Sequence, residues 1–188
     1  IKATEHLKGT SVSLKNLKPT KDKAVFLGWS DKDHNKDFTD IPSDVTFIDK
    51  YTFSMDKPEN ATVYAVWAVD ENGNGTPDYQ EEKYHLTYDA NGGKNAPVDE
   101  NEYINGQVVT LSGEKPAREK AVFLGWSTAK HEGMVSEIPN DLIKEYTFGE
   151  GNGTVYAVWA ADENGDGTPD INETKYTLSY DTNGGTSI

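Results

Sequence analysis

Two acidic, glycine-punctuated stretches carry oxygen side chains at a spacing that suits a hard cation. The first reads Asp70-Glu71-Asn72-Gly73-Asn74-Gly75-Thr76-Pro77-Asp78, and the second Asp162-Glu163-Asn164-Gly165-Asp166-Gly167-Thr168-Pro169-Asp170. With Asp70 as position 1, Asn72, Asn74, Thr76, Asp78 and Glu81 fall at positions 3, 5, 7, 9 and 12. Asp162, Asn164, Asp166, Thr168, Asp170 and Glu173 repeat that series. In a tight loop, alternate side chains turn inward and can surround Ca²⁺ with oxygens. Gly75 and Gly167 permit the sharp reversal, and the backbone carbonyls of Thr76 and Thr168 add a ligand. One Ca²⁺ per loop is the expectation. Asp166 stands where the first loop has Asn74, and ligand charge raises affinity, so the second loop should bind more tightly. The competing reading is a solvated hinge, since Asp, Asn, Gly and Pro are also the favoured turn residues. The same pattern at two equivalent places favours the ion.

Strand-like runs, not helices, flank both loops, and Pro77 and Pro169 occupy position 8. The loops therefore do not read as EF-hands. They resemble the helix-free, Asp-rich calcium repeats of thrombospondin type 3. That resemblance implies direct binding by Asp78 and Asp170 and leaves the part of Glu81 and Glu173 open.

The elements that hold the loops come in repeated pairs. Ala24-Val25-Phe26-Leu27-Gly28-Trp29-Ser30 recurs 97 residues on as Ala121-Val122-Phe123-Leu124-Gly125-Trp126-Ser127. Tyr51-Thr52-Phe53 recurs 95 residues on, and the runs Val63 to Ala68 and Tyr84 to Asp89 recur 92 residues on. The shrinking offset places length differences in connecting loops, where they are tolerated. Val, Tyr, Phe, Trp and Thr bounded by Gly, Asn, Asp and Pro read as strands. Val63, Ala65 and Trp67 would face one side, and Tyr64, Val66 and Ala68 the other. Gly28 and Gly125 inside such runs point to a bulge or a close backbone approach. Val108 to Leu111 reads as a further strand. Helix signal is weak, its best candidates being 44–50 and 141–146, each a turn or two. The fold class is mainly β, α+β with little helix.

The order Tyr-x-Leu-x-Tyr-Asp-Ala-Asn-Gly-Gly (from Tyr84), then Phe-Leu-Gly-Trp, then Val-Tyr-Ala-Val-Trp resembles the Listeria–Bacteroides repeat, or internalin B-repeat. Residues 84–160 cover one whole unit, and 1–68 a second without its first strand. The resemblance implies tandem β-grasp-like modules on a secreted or cell-wall-attached bacterial surface protein, in a stalk or adhesin. The expected organisation is a module over 1–69, a calcium-loop linker over 70–82, a complete module over 83–161, a second linker over 162–174, and the first strand of a third module over 175–188.

Composition narrows the partners. Of 188 residues, 32 are Asp or Glu and 18 Lys or Arg, a formal net charge of −14. Such a surface argues against nucleic acid and anionic membranes, which need basic patches. There is no cysteine, so disulfides play no part, and no apolar run approaches the roughly 20 residues of a membrane span. Four histidines include only one equivalent pair, His34 and His131, which read as surface residues. No catalytic constellation emerges, and the expectation is not an enzyme.

Trp29, Trp67, Trp126 and Trp159 recur two per module inside apolar strands, which favours core packing. The alternative is that exposed rings, Trp29 and Trp126 first, stack against host glycans or proteins. Adjacent repeats of the same protein are the other expected partners. The terminal strand at 176–185 could add to the vacant edge of another molecule's first module, a form of strand exchange. The reading as a whole is an extracellular stalk segment stiffened by Ca²⁺ at its linkers.

Overall fold

The computed structural model describes residues 2–56 and 60–185, and the account below concerns these. About 30% of residues are in strands and 3% in helix, with no α-helix among the described residues. Backbone contacts divide the chain into two compact units. Unit 1 takes residues up to Tyr84, with Glu102–Gln107 and Thr147–Gly151, and unit 2 takes the remainder.

Unit 1 contains β1 (Ser11–Ser13), β2 (Ala24–Ser30), β3 (Asp37–Phe38), β4 (Lys50–Thr52) and β5 (Tyr64–Val69). β5 is the centre of a three-stranded sheet, antiparallel to β2 and parallel to β3. The register runs from Ala24 opposite Val69 to Phe26 opposite Trp67, then jumps to Gly28 opposite Val66. Leu27 is thus the extra residue of a bulge, and Gly28 has φ of 155°. A β-carbon on Gly28 would lie 2.6 Å from Phe47 Cδ1, so both sequence expectations for that glycine hold. β1 and β4 pair antiparallel in a separate ribbon. Leu14, Phe38, Val66 and Ala68 are buried in this unit, as is Ser30.

Unit 2 is built from β6 (Leu86–Asp89), β7 (Val108–Thr110), β8 (Ala121–Ser127), β9 (Glu145–Thr147, its last residue counted with unit 1) and β10 (Gly153–Ala161). β10 lies between β8, antiparallel, and β6, parallel. The β8–β10 register carries the same bulge, now at Leu124. β7 and β9 form the counterpart ribbon. The core is aromatic and tightly interlocked. Trp126 meets Tyr88 at 4.9 Å and Phe123 at 5.0 Å, while Phe123 meets Trp159 at 5.8 Å, all edge to face. Trp159 Nε1 donates to Ala90 O at 2.9 Å. Such pairs add about 0.5–1.5 kcal/mol each beyond the burial of their area.

The helical candidates at 44–50 and 141–146 are corrected by the structure. Their residues are in no helix, with Ile48 N donating to Trp29 O and Ile143 N to Trp126 O, each at 2.8 Å. β-Branched residues (Val45, Thr46, Ile48) lose side-chain freedom in a helix. Pairing beside β2 and β8 satisfies the backbone instead.

Candidate functional site

Each acidic loop begins where a central strand ends. Asp70 follows β5 and its backbone N–H donates to Lys23 O; Asp162 follows β10 and donates to Lys120 O. The anchoring lysines match in backbone conformation, φ 51° and 52°. Pro77 and Pro169 then set up short 3₁₀ turns at Asp78–Gln80 and Asp170–Asn172. The loops are therefore folded turns with a fixed start and finish.

The position-1 aspartates organise each loop. Asp70 is only 4% exposed, and its Oδ1 and Oδ2 accept from Asn74 N and Gly75 N at 3.1 and 3.0 Å. Asp162, 6% exposed, accepts likewise from Gly165 N and Gly167 N at 2.8 and 3.1 Å. Positions 3 and 5 continue the pattern. Asn72 Oδ1 and Asn74 Oδ1 accept from Asn74 N and Thr76 N, as Asn164 Oδ1 and Asp166 Oδ1 do from Asp166 N and Thr168 N. At position 9, Asp78 Oδ1 accepts from Glu71 N and Asp170 Oδ1 from Glu163 N, each at 3.0 Å. Thr76 and Thr168 enter through their backbone N–H groups, and the Thr168 side chain also bonds Asp166.

The position-12 glutamates fold back over their loops. Glu81 Oε1 receives Asn74 Nδ2 at 2.6 Å and Asn72 Nδ2 at 3.1 Å. Glu173 Oε1 receives Asn164 Nδ2 at 3.0 Å, and the same amide reaches Asp166 Oδ2 at 3.3 Å. In the second loop the Asn164 NH₂ thus lies between two carboxylates, whereas in the first both asparagine amides address Glu81. Among the described residues no three Asp, Glu or His side chains draw into a cluster able to hold a metal.

The donor set nevertheless fits a hard cation. All candidate atoms are oxygens, and each carboxylate oxygen that accepts one N–H keeps a lone pair. No carboxylate of either loop joins an ion pair among the described residues. Burial pushes Asp78 above its ordinary 3.8; the Glu71 N–H opposes this, and the charges of Glu71 and Glu81 add to the rise. Asp166 is held below 3.8, chiefly by the Thr168 N–H.

Elsewhere the structure places the tryptophans by environment. Trp126 and Trp159 are 3% and 1% exposed, so neither offers a flat ring to solvent. Trp29 and Trp67 are half-buried, and Trp29 lines a cavity of about 520 Å³ in unit 1. The sequence reading missed one cluster. Ser127 Oγ donates to Asp141 Oδ2 at 2.8 Å, and His131 Nε2 sits 3.0 Å from the same oxygen. The buried hydroxyl addresses the carboxylate and not the imidazole, so the three do not form an activated nucleophile. The pairing of His34 with His131 in the repeat was the available signal.

Comparison with protein families matches residues 84–158 to the Listeria-Bacteroides repeat domain. Neither the curated proteins nor the solved structures give a match. That family is found in bacterial surface proteins, and its modules are typically structural and non-enzymatic. Among the described residues no helix is long and apolar enough to cross a membrane. The segment from Tyr84 to Val158 is thus similar to the Listeria-Bacteroides repeat domain.

Proposed function

We propose that the chain is a stalk segment of an extracellular bacterial adhesin-type protein whose acidic loops bind Ca²⁺, one ion each. The observation that carries this reading is the pair of loops in which the side chains at positions 1, 3, 5 and 9 accept N–H groups of their own loop and no carboxylate joins an ion pair among the described residues. In the loops as they stand, asparagine amides occupy the carboxylate oxygens of Glu81 and Glu173. Calcium replaces them: Asp70, Asn72, Asn74, Asp78 and Glu81, with the Thr76 carbonyl, would hold one ion. Asp162, Asn164, Asp166, Asp170 and Glu173, with the Thr168 carbonyl, would hold the other.

The protein's contribution is positional. The backbone N–H groups that clamp Asp70 and Asp162 orient the carboxylates before any ion arrives. The strand-end bonds to Lys23 and Lys120 tie each loop to its sheet. Bound calcium cancels carboxylate repulsion and removes the loop's alternative conformations, which stiffens the path between modules and holds a distal domain away from the cell. An ion that binds only the folded form stabilises it by about 2.7 kcal/mol at a hundred-fold excess over Kd.

The test is X-ray scattering and thermal unfolding in chelator and in millimolar calcium. The proposal expects a longer, less variable particle and a raised Tm with calcium, both lost in Asp70→Ala plus Asp162→Ala. An unchanged scattering profile and Tm would reduce the loops to hinges.

A further inference from the structure

In unit 2, β6 closes the core beside the start of β10. Leu86 lies opposite Gly153, Thr87 opposite Thr154, Tyr88 opposite Val155 and Asp89 opposite Tyr156. Leu86 and Tyr88 are 3% and 8% exposed, and the Tyr88 hydroxyl accepts from Ser112 N at 2.8 Å. Just beyond, Asn91 Nδ2 donates to Ala157 O at 3.0 Å. Ahead of β6, Tyr84 and Tyr103 exchange backbone hydrogen bonds of 2.8 and 2.9 Å.

The counterpart of that edge in unit 1 is Ala61-Thr62-Val63-Tyr64, matching Gly153-Thr154-Val155-Tyr156. Among the described residues it has no strand on the side where β6 would lie. In its place is the cavity of about 520 Å³, lined by Val12, Leu14, Trp29, Tyr51, Phe53 and Val63 among others. The uncovered edge has a burial signature. Val63, Ala65 and Trp67 are half-buried, whereas Val155 and Ala157 are 0% and Trp159 1% exposed. His6 stacks on Phe53 at 5.2 Å, and both line the cavity.

A segment with the β6 pattern lies at Tyr176-Thr177-Leu178-Ser179-Tyr180-Asp181. It is in no strand, and Tyr176, Leu178 and Tyr180 are 90%, 73% and 77% exposed. Its turn is already built. Asn183 and Gly184 have φ of 47° and 90°, against 47° and 86° at Asn91 and Gly92. Asn183 N donates to Asp181 Oδ1 at 2.8 Å, as Asn91 N does to Asp89 Oδ1 at 2.7 Å.

We propose that residues 176–183 of one copy dock as a parallel strand in the unit 1 groove of a second copy. The register follows from β6: Leu178 opposite Ala61, Ser179 opposite Thr62, Tyr180 opposite Val63 and Asp181 opposite Tyr64. The Tyr180 ring then packs on Trp29, the Asn183 amide reaches the Ala65 carbonyl, and Tyr176 pairs with His6. Main-chain bonds supply affinity and the alternate apolar side chains supply register. Donor and acceptor are different surfaces of one chain, so association is head-to-tail and either closes reciprocally or propagates.

The experiment is light scattering of the full chain over a range of concentrations, in chelator so that calcium plays no part. The average mass should rise above that of one chain with concentration. Leu178→Asp plus Tyr180→Asp should hold it at one chain with an unchanged unfolding curve. The chain has no cysteine, so an equal mixture of Thr62→Cys and Ser179→Cys variants reads the register directly. Oxidation should give a covalent dimer of unlike chains, lost when the Ser179→Cys chain also carries Tyr180→Asp. A single-chain mass at every concentration, association that survives the double variant, or no cross-link would each overturn the proposal.

Discussion

Single residues decide whether the loops and cores close. Gly93 is a steric case: a β-carbon there would lie 2.6 Å from Trp159 Cζ2 and 2.8 Å from Ala117 O. Backbone cannot yield as a flexible side chain can. Gly93→Ala should therefore destabilise unit 2 by about 1–3 kcal/mol, read as a lower urea midpoint by tryptophan fluorescence. Asp166 sets the difference between the loops, and Asp166→Asn should bring the second loop's calcium affinity down to that of the first. On the proposed reading protons would compete with calcium for the same oxygens, and the directions of the two aspartate shifts give the sign. Without metal, the raised Asp78 contributes stability below the ordinary value that is lost as pH rises through the raised one. The depressed Asp166 contributes stability above 3.8 that is lost as pH falls through its lowered value. On acidification the first loop should release calcium before the second, as binding isotherms stepped through the carboxylate range would show. The matching spacing of the two loops was legible in the sequence. That Asn72 and Asn74 point their amides at Glu81 was not, because spacing does not say which end of an amide faces a carboxylate.

At the scale of elements, the same hexapeptide pattern lives in two environments. Leu86 in β6 is buried, and Leu178 in its sequence counterpart is exposed. Leu86→Ala should cost about 2–5 kcal/mol. Leu178→Ala in dilute protein should stay within about 0.5 kcal/mol of the parent, both measured by denaturant unfolding. β2 and β8 could be read directly, since an aromatic and β-branched run interrupted by one glycine leaves few alternatives to a bulged strand. β5 and β10 were equally plain. The parallel pairing of β6 with β10 was hidden, because it joins residues more than sixty positions apart and no local pattern encodes the partner. β1 and β3, three and two residues long, carry too little pattern to register. The segments at 44–50 and 141–146 were the best candidates of a weak helix signal. Tertiary pairing with β2 and β8 overrode that local preference.

For the whole molecule, the proposed calcium loops would link local chemistry to a mechanical role. Each begins where a central strand ends, so on this proposal a bound ion would act on the chain that follows it. A surface protein built this way would be compliant when calcium is scarce and stiff when it is plentiful. Raising calcium should slow proteolysis within 70–82 and 162–174 several-fold while leaving cleavage elsewhere unchanged, as mapped by mass spectrometry of the fragments. The most direct measurement is a calorimetric titration of calcium into the metal-stripped chain. Two binding events are expected, the tighter one abolished by Asp162→Ala and the weaker by Asp70→Ala. No heat up to millimolar calcium, or binding that survives both substitutions, would contradict the account.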